Sequence, residues 1–160
     1  MPARYRPSTA ILATIALALT MAASAATAQS PQPGDTPDPG ITDGSLKREL
    51  DSARQKWKSA HIKSYQVRVA LSCFCPEQIR RPRTLTVRGG APVKPPSHLR
   101  AVASVTRMFQ LIEGAIDDGV ASLGVTYGAH GVPRSINIDT SRQIADEEEY
   151  YKIDRFKRLR

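Results

Sequence analysis

The chain has 160 residues, 23 Lys and Arg against 15 Asp and Glu, a formal charge of +8 and only two cysteines. That length suits one ordinary domain with an adequate core, and two cysteines exclude a disulfide-dense scaffold. The basic excess favours acidic partners, but the bases are scattered over 47–63, 80–88 and 152–160, and no aromatic residues alternate with them to stack nucleotides; no nucleic-acid partner is expected.

The first 28 residues read as a secretory signal peptide. Arg4 and Arg6 supply the positive start, 11–23 is apolar apart from Thr14 and Thr20, and Ala26-Thr27-Ala28 offers small residues for cleavage between Ala28 and Gln29. The apolar run is about half the length that spans a bilayer, so no transmembrane segment is expected after cleavage. No cysteine follows the site, which argues against a lipid-modified terminus. Cleavage leaves 132 of the 160 residues and removes two of the eight net charges, giving +6. The expected location is periplasmic or secreted. A Pro- and Gly-rich stretch over 29–44 reads as an exposed linker, and 45–160 as a single domain.

A helix is predicted over 45–60, because Leu46, Leu50, Ala53 and Trp57 fall on one stripe; Asp43 or Ser45 can cap it. Tyr65, Val67, Val69, Leu71 and Cys73 then alternate with polar or small residues, the period of a strand with one wet face. A charged loop over 77–82 leads to a strand over 84–88, a Gly89-Gly90 turn and a short return strand that Pro92 restricts to an edge. A second helix is predicted over 104–117, from Val105, Met108, Phe109, Ile112 and Ile116, with Ser104 as cap and Gly119 as terminator. Strands over 122–127 and 132–139 flank the turn Gly128-Ala129-His130-Gly131. A last strand over 149–158 places Tyr151, Ile153 and Arg155 on one face and Tyr150, Lys152, Asp154 and Phe156 on the other. The expected fold is α+β: a two-layer sandwich, with an antiparallel sheet of five to six strands carrying two helices on one face, in the order α-β-β-(β)-α-β-β-β.

Cys73-Phe74-Cys75-Pro76 is the most distinctive local feature. In an extended strand the two Cα atoms stand about 6.5–7 Å apart, the upper limit for a disulfide, and a bend at Pro76 shortens that gap. A local disulfide, a redox-active pair, and an intermolecular bond or free thiols all fit an exported chain; a metal site lacks further ligands, because His61, His98 and His130 show no ligand spacing. Asp139 and the run Asp146-Glu147-Glu148-Glu149 form the one acidic cluster, read as a solvated turn or, alternatively, a calcium site. No catalytic motif is present in the sequence and no cofactor is expected.

The ordered set of Trp57, Tyr65, Cys73-Phe74-Cys75-Pro76, Gly89-Gly90, Met108 to Ile112, Val125-Thr126-Tyr127, Gly131-Val132-Pro133, Ile138-Asp139 and Asp146-Glu147-Glu148 resembles a family of small exported bacterial proteins known only as domain of unknown function 6174. The likeness runs over about 46–153. It implies the fold and the compartment but no activity. The family typically carries an Asp after the strand tyrosine, where this chain has Gly128. The leading expectation is a non-enzymatic binding module of the cell envelope, uncharacterised, presenting a sheet face or edge strand to a protein or envelope partner, with Arg68, Phe74 and Phe156 exposed on that surface. The alternatives are a thiol–disulfide protein using Cys73 and Cys75, and a calcium-binding domain.

Overall fold

The structure is a computed structural model that describes residues 36–144 and 148–160. The stretch expected to be a signal peptide, with the expected cleavage positions Ala28 and Gln29, lies outside the described residues, as do Asp146 and Glu147. The first described element falls inside the stretch expected to be a linker. Pro39–Thr42 forms a short helix, α1, with Pro39 at its first turn. Asp38 caps it by accepting from Gly40 N–H at 2.7 Å. The same residue donates its N–H to the Val120 carbonyl at 2.9 Å, and its Oδ2 accepts from Leu123 N–H at 3.1 Å. The end of the Pro/Gly-rich stretch is therefore bound to the domain, because a single aspartate satisfies three backbone groups of two distant segments.

Helix α2 spans Ser45–Ser59. Gly44 stands at its N-cap with φ +73°, and the Asp43 carboxylate accepts from Ser45 N–H at 2.7 Å. Of the two caps expected, Asp43 is the one that bonds a helix N–H; the Ser45 side chain first, and the Ser45 backbone N–H with it, hold its carboxyl below the usual range. Leu50 and Ala53 are buried, and Leu46 and Trp57 pack against the core from either end of the predicted stripe.

Strand β1 is Tyr65–Ser72, with Tyr65, Val67, Val69 and Leu71 buried in strict alternation. The charged loop contains one helical turn, α3 (Glu77–Arg80), closed by an Arg81–Glu77 ion pair at 3.0 Å. Strands β2 (Arg83–Arg88) and β3 (Ala91–Pro92) follow, then a 3-10 segment over Ser97–Val102. Helix α4 is Val105–Asp117; Ser104 caps it through a 3.2 Å bond from Arg107 N–H, and Gly119 at φ +65° lets the chain turn away. The final strands are β4 (Ser122–Tyr127), β5 (Pro133–Asp139) and β6 (Glu149–Arg158).

These strands make one six-stranded sheet in the order β3-β2-β1-β6-β5-β4, antiparallel at every pairing, so the fold is α+β. The core joins Leu50 and Ala53 of α2 and Val105, Met108, Phe109, Ile112 and Ala115 of α4 to the buried residues of the strands.

The register of β6 departs from the alternation read in the sequence. Gln66 pairs with Lys157 but Arg68 with Asp154, so one extra residue is accommodated on β6. That bulge is absorbed by Arg155 at φ +50°, and it reverses the faces beyond it. Arg155, expected beside Tyr151 and Ile153, is exposed. Phe156, expected on the outer face, packs against the core with its ring 6.1 Å from Trp57 and 5.3 Å from Tyr65.

Candidate functional site

The two cysteines sit where β1 ends. Cys75 N–H donates to the Cys73 carbonyl at 2.8 Å, a three-residue turn that brings the Cα atoms to 5.2 Å and the two sulfur atoms into contact. An extended strand would hold the Cα atoms farther apart; the tight turn before Pro76 removes the difference. Phe74, between them, is 84% exposed, while Arg68 is half-buried on the outer sheet face. Of the three residues expected on an exposed surface, Phe74 is the one the fold leaves open to solvent.

The acidic cluster does not converge among the described residues. Asp139 accepts from Ser141 N–H at 3.1 Å, Glu149 accepts from the Tyr151 hydroxyl at 2.9 Å, and Glu148 is exposed. Among the described residues no three His, Cys, Asp or Glu side chains are placed to hold a metal ion. Burial and the Glu149 carboxylate together push the Tyr151 phenol well above its ordinary pKa.

A different region combines an open backbone with a concave surface. Strands β3 and β4 are the two edges of the sheet. Leu123 N–H is bound by Asp38, so the main-chain groups of Leu123 point away from β5; alternation turns those of Val125 the same way, before the register shift at Tyr127. Beyond Val125 and Tyr127, a cleft of about 450 Å³ separates the strand from α2, with Arg48, Glu49, Ser52 and Lys56 on the helical wall. A shallower depression of about 530 Å³ continues along α2, lined by Ser52, Lys56, Ser59 and His130. Burial, with Glu49 contributing, raises the Tyr127 phenol above its ordinary pKa, so it stays protonated and able to donate at neutral pH.

The turn after β4 holds this cleft in place. Gly131 has φ +75°, and a Cβ there would lie 2.1 Å from the Ala53 carbonyl oxygen. The turn thus rests directly on the α2 backbone, a contact only glycine allows. His130, before it, is left-handed at φ +59° and exposed. A separate cavity of about 300 Å³ opens where β5 stops pairing with β6; His130, Arg134, Asp154 and Arg155 border it.

The profile of DUF6174, a family of unknown function, matches residues 49–158. The chain belongs to the DUF6174 family. The match takes in α2 from Glu49 onward and every strand, β6 to its last residue, so the DUF6174 domain contains both walls of the cleft apart from Arg48. No curated protein and no solved structure matches the chain.

Sequence reasoning found the cysteine turn but missed the cleft. Arg48, Ser52 and Lys56 recur every four residues on the polar side of α2, which reads as a solvated face. Only the placement of β4 at an edge turns that face into a wall.

Proposed function

We propose that the chain is an exported, non-enzymatic binding module of the cell envelope, acting through the β4 edge and the cleft beside α2. One observation carries this reading. Asp38 satisfies the outward N–H of Leu123, while no described residue bonds the outward groups of Val125 next along the strand. An open edge beside a cleft is a geometry in which an extended segment gains backbone hydrogen bonds and side-chain contacts together. Export is supported by the Arg4/Arg6 start, the apolar run over 11–23 and the Ala28–Gln29 junction. Among the described residues no helix is long and apolar enough to cross a membrane. In-cell cross-linking with mass spectrometry tests the reading: the chain should begin at Gln29, lie outside the cytosol and link to an envelope component. A full-length cytosolic chain without cross-links would overturn it.

A second reading rests on the exposed cysteine turn. If Cys73 and Cys75 form a disulfide, a client dithiol can attack it through a mixed disulfide. The client is oxidised to its own disulfide, and Cys73 and Cys75 become two thiols, with two electrons and two protons transferred. The ring is very small, so the bond would contribute little to global stability. Equilibration with glutathione redox buffers measures the potential; a value below about −300 mV, typical of structural disulfides, removes this reading.

A further inference from the structure

The two sheet edges are not treated alike. β3 is two residues long and carries Pro92, both devices that discourage another strand from pairing. β4 is six residues, Ser-Leu-Gly-Val-Thr-Tyr, with no charge and no proline, and its one register shift lies at the last residue, Tyr127. An unprotected edge of this kind invites strand addition. The chain itself fills the first position, since the Asp38 carboxylate takes the N–H of Leu123. The next outward position, Val125, lies about 6.8 Å further along, one side-chain repeat of a strand, and opens onto the cleft.

The cleft has a definite charge. Arg48 and Lys56 stand on its helical wall against the single acid Glu49. Val125, Ala53 and the Tyr127 ring supply an apolar floor.

We infer that the β4 edge takes an extended, acidic peptide segment of a partner protein, paired with Val125 and held between β4 and α2. This rests on the binding-module reading above and adds its site and the chemistry of its ligand. Alternate side chains of the added strand would enter the cleft, where apolar groups meet Val125 and Tyr127. Its carboxylates would face Arg48 and Lys56. Such pairing makes binding fall with ionic strength.

Fluorescence anisotropy with two labelled, end-blocked pentapeptides tests the inference on the purified protein. One probe is Asp-Val-Asp-Val-Asp and the other Lys-Val-Lys-Val-Lys. The acidic probe should bind saturably, at least tenfold more tightly than the basic one. Val125→Pro removes an outward N–H without touching the β5 ladder and should weaken the acidic probe at least tenfold in protein whose circular dichroism shows it still folded. Should that variant fail to fold, Lys56→Glu, an exposed change, should still weaken it about fivefold. Equal binding of both probes, no binding of either, or indifference to both substitutions overturns the inference. So does a concentration-dependent dimer abolished by Val125→Pro, which would make a second copy the occupant. Cellular cross-links that map to a partner away from β4 would overturn this site while leaving the binding-module reading standing.

Discussion

The hydroxyl of Tyr65, the first residue of β1, accepts the backbone N–H of Val105, the first residue of α4, at 2.8 Å inside the core. A helix start leaves its first N–H groups without intrahelical partners. Ser104 satisfies one of them from its own segment, and Tyr65 satisfies another from forty residues away. The phenol ring also meets Trp57 edge-on, with centroids 5.3 Å apart and planes at 83°. One side chain thus joins β1, α2 and α4.

Tyr65→Phe keeps the ring and leaves the Val105 N–H buried without a partner. An unsatisfied buried donor costs about 1–3 kcal/mol. Urea unfolding should show a lower midpoint with an unchanged slope. An unchanged midpoint would mean that water replaces the hydroxyl.

Alkaline pH should weaken the fold through the same group. Burial pushes the Tyr65 phenol from its ordinary 10.0 up to about 12. The unfolded chain ionises first, so this contribution is complete below pH 10 and is lost as pH rises from 10 towards 12. Tyr127 and Tyr151 are raised in the same direction and add to the loss. Melting curves across this range should fall less steeply for Tyr65→Phe than for the parent protein.

The acid limb has a different origin. Arg54 on α2 grips Glu113 on α4 with two bonds, of 2.7 and 2.6 Å, and its Nη2 also donates to the Phe109 carbonyl at 3.3 Å. The guanidinium holds the Glu113 carboxyl below its ordinary 4.5, with Lys47 adding to the effect at 3.9 Å. A depressed carboxyl stabilises the fold above its unfolded pKa and ceases to as pH falls through the folded value. Below pH 4.5 the melting temperature of Glu113→Gln should therefore drop less steeply than that of the parent. Parallel curves would show that the pair is screened by solvent.

Two glycines three residues apart should respond by very different amounts. Gly131→Ala forces a Cβ into the Ala53 carbonyl at positive φ, and about 3 kcal/mol or more of destabilisation is expected. Gly128 has φ −113°, and a Cβ there is crowded by the flexible Arg134 side chain, with the Val132 carbonyl oxygen at an ordinary 3.7 Å. Gly128→Asp should be nearly neutral, within about 1 kcal/mol, because Arg134 can swing aside and pair with the new carboxylate. Differential scanning calorimetry separates the two.

Asp38→Ala tests whether the end of the Pro/Gly-rich stretch belongs to the fold. It deletes the cap on α1 and the acceptor for Leu123 N–H, and about 1–2 kcal/mol should be lost. Hydrogen exchange at Leu123 should quicken. Unchanged protection there would show that Asp38 is dispensable.

Local chemistry made much of this protein readable from its residues. The stripe Leu46, Leu50, Ala53 and Trp57 defines α2, the alternation from Tyr65 to Leu71 defines β1, and Ser104 with Gly119 brackets α4, because each signal depends on neighbours a few residues apart. Three features were decided only by tertiary structure. Strand β6 inserts between β1 and β5, a pairing of segments more than seventy residues apart, and this leaves β4 at an edge. The bulge at Arg155 turns Phe156 inward to meet Trp57 and Tyr65, against its strand period. Asp38 reaches from an apparently featureless linker to Leu123. Periodicity reports which side of an element faces the core; it carries nothing about which element lies beside it, and the cleft between α2 and β4 exists only through that adjacency.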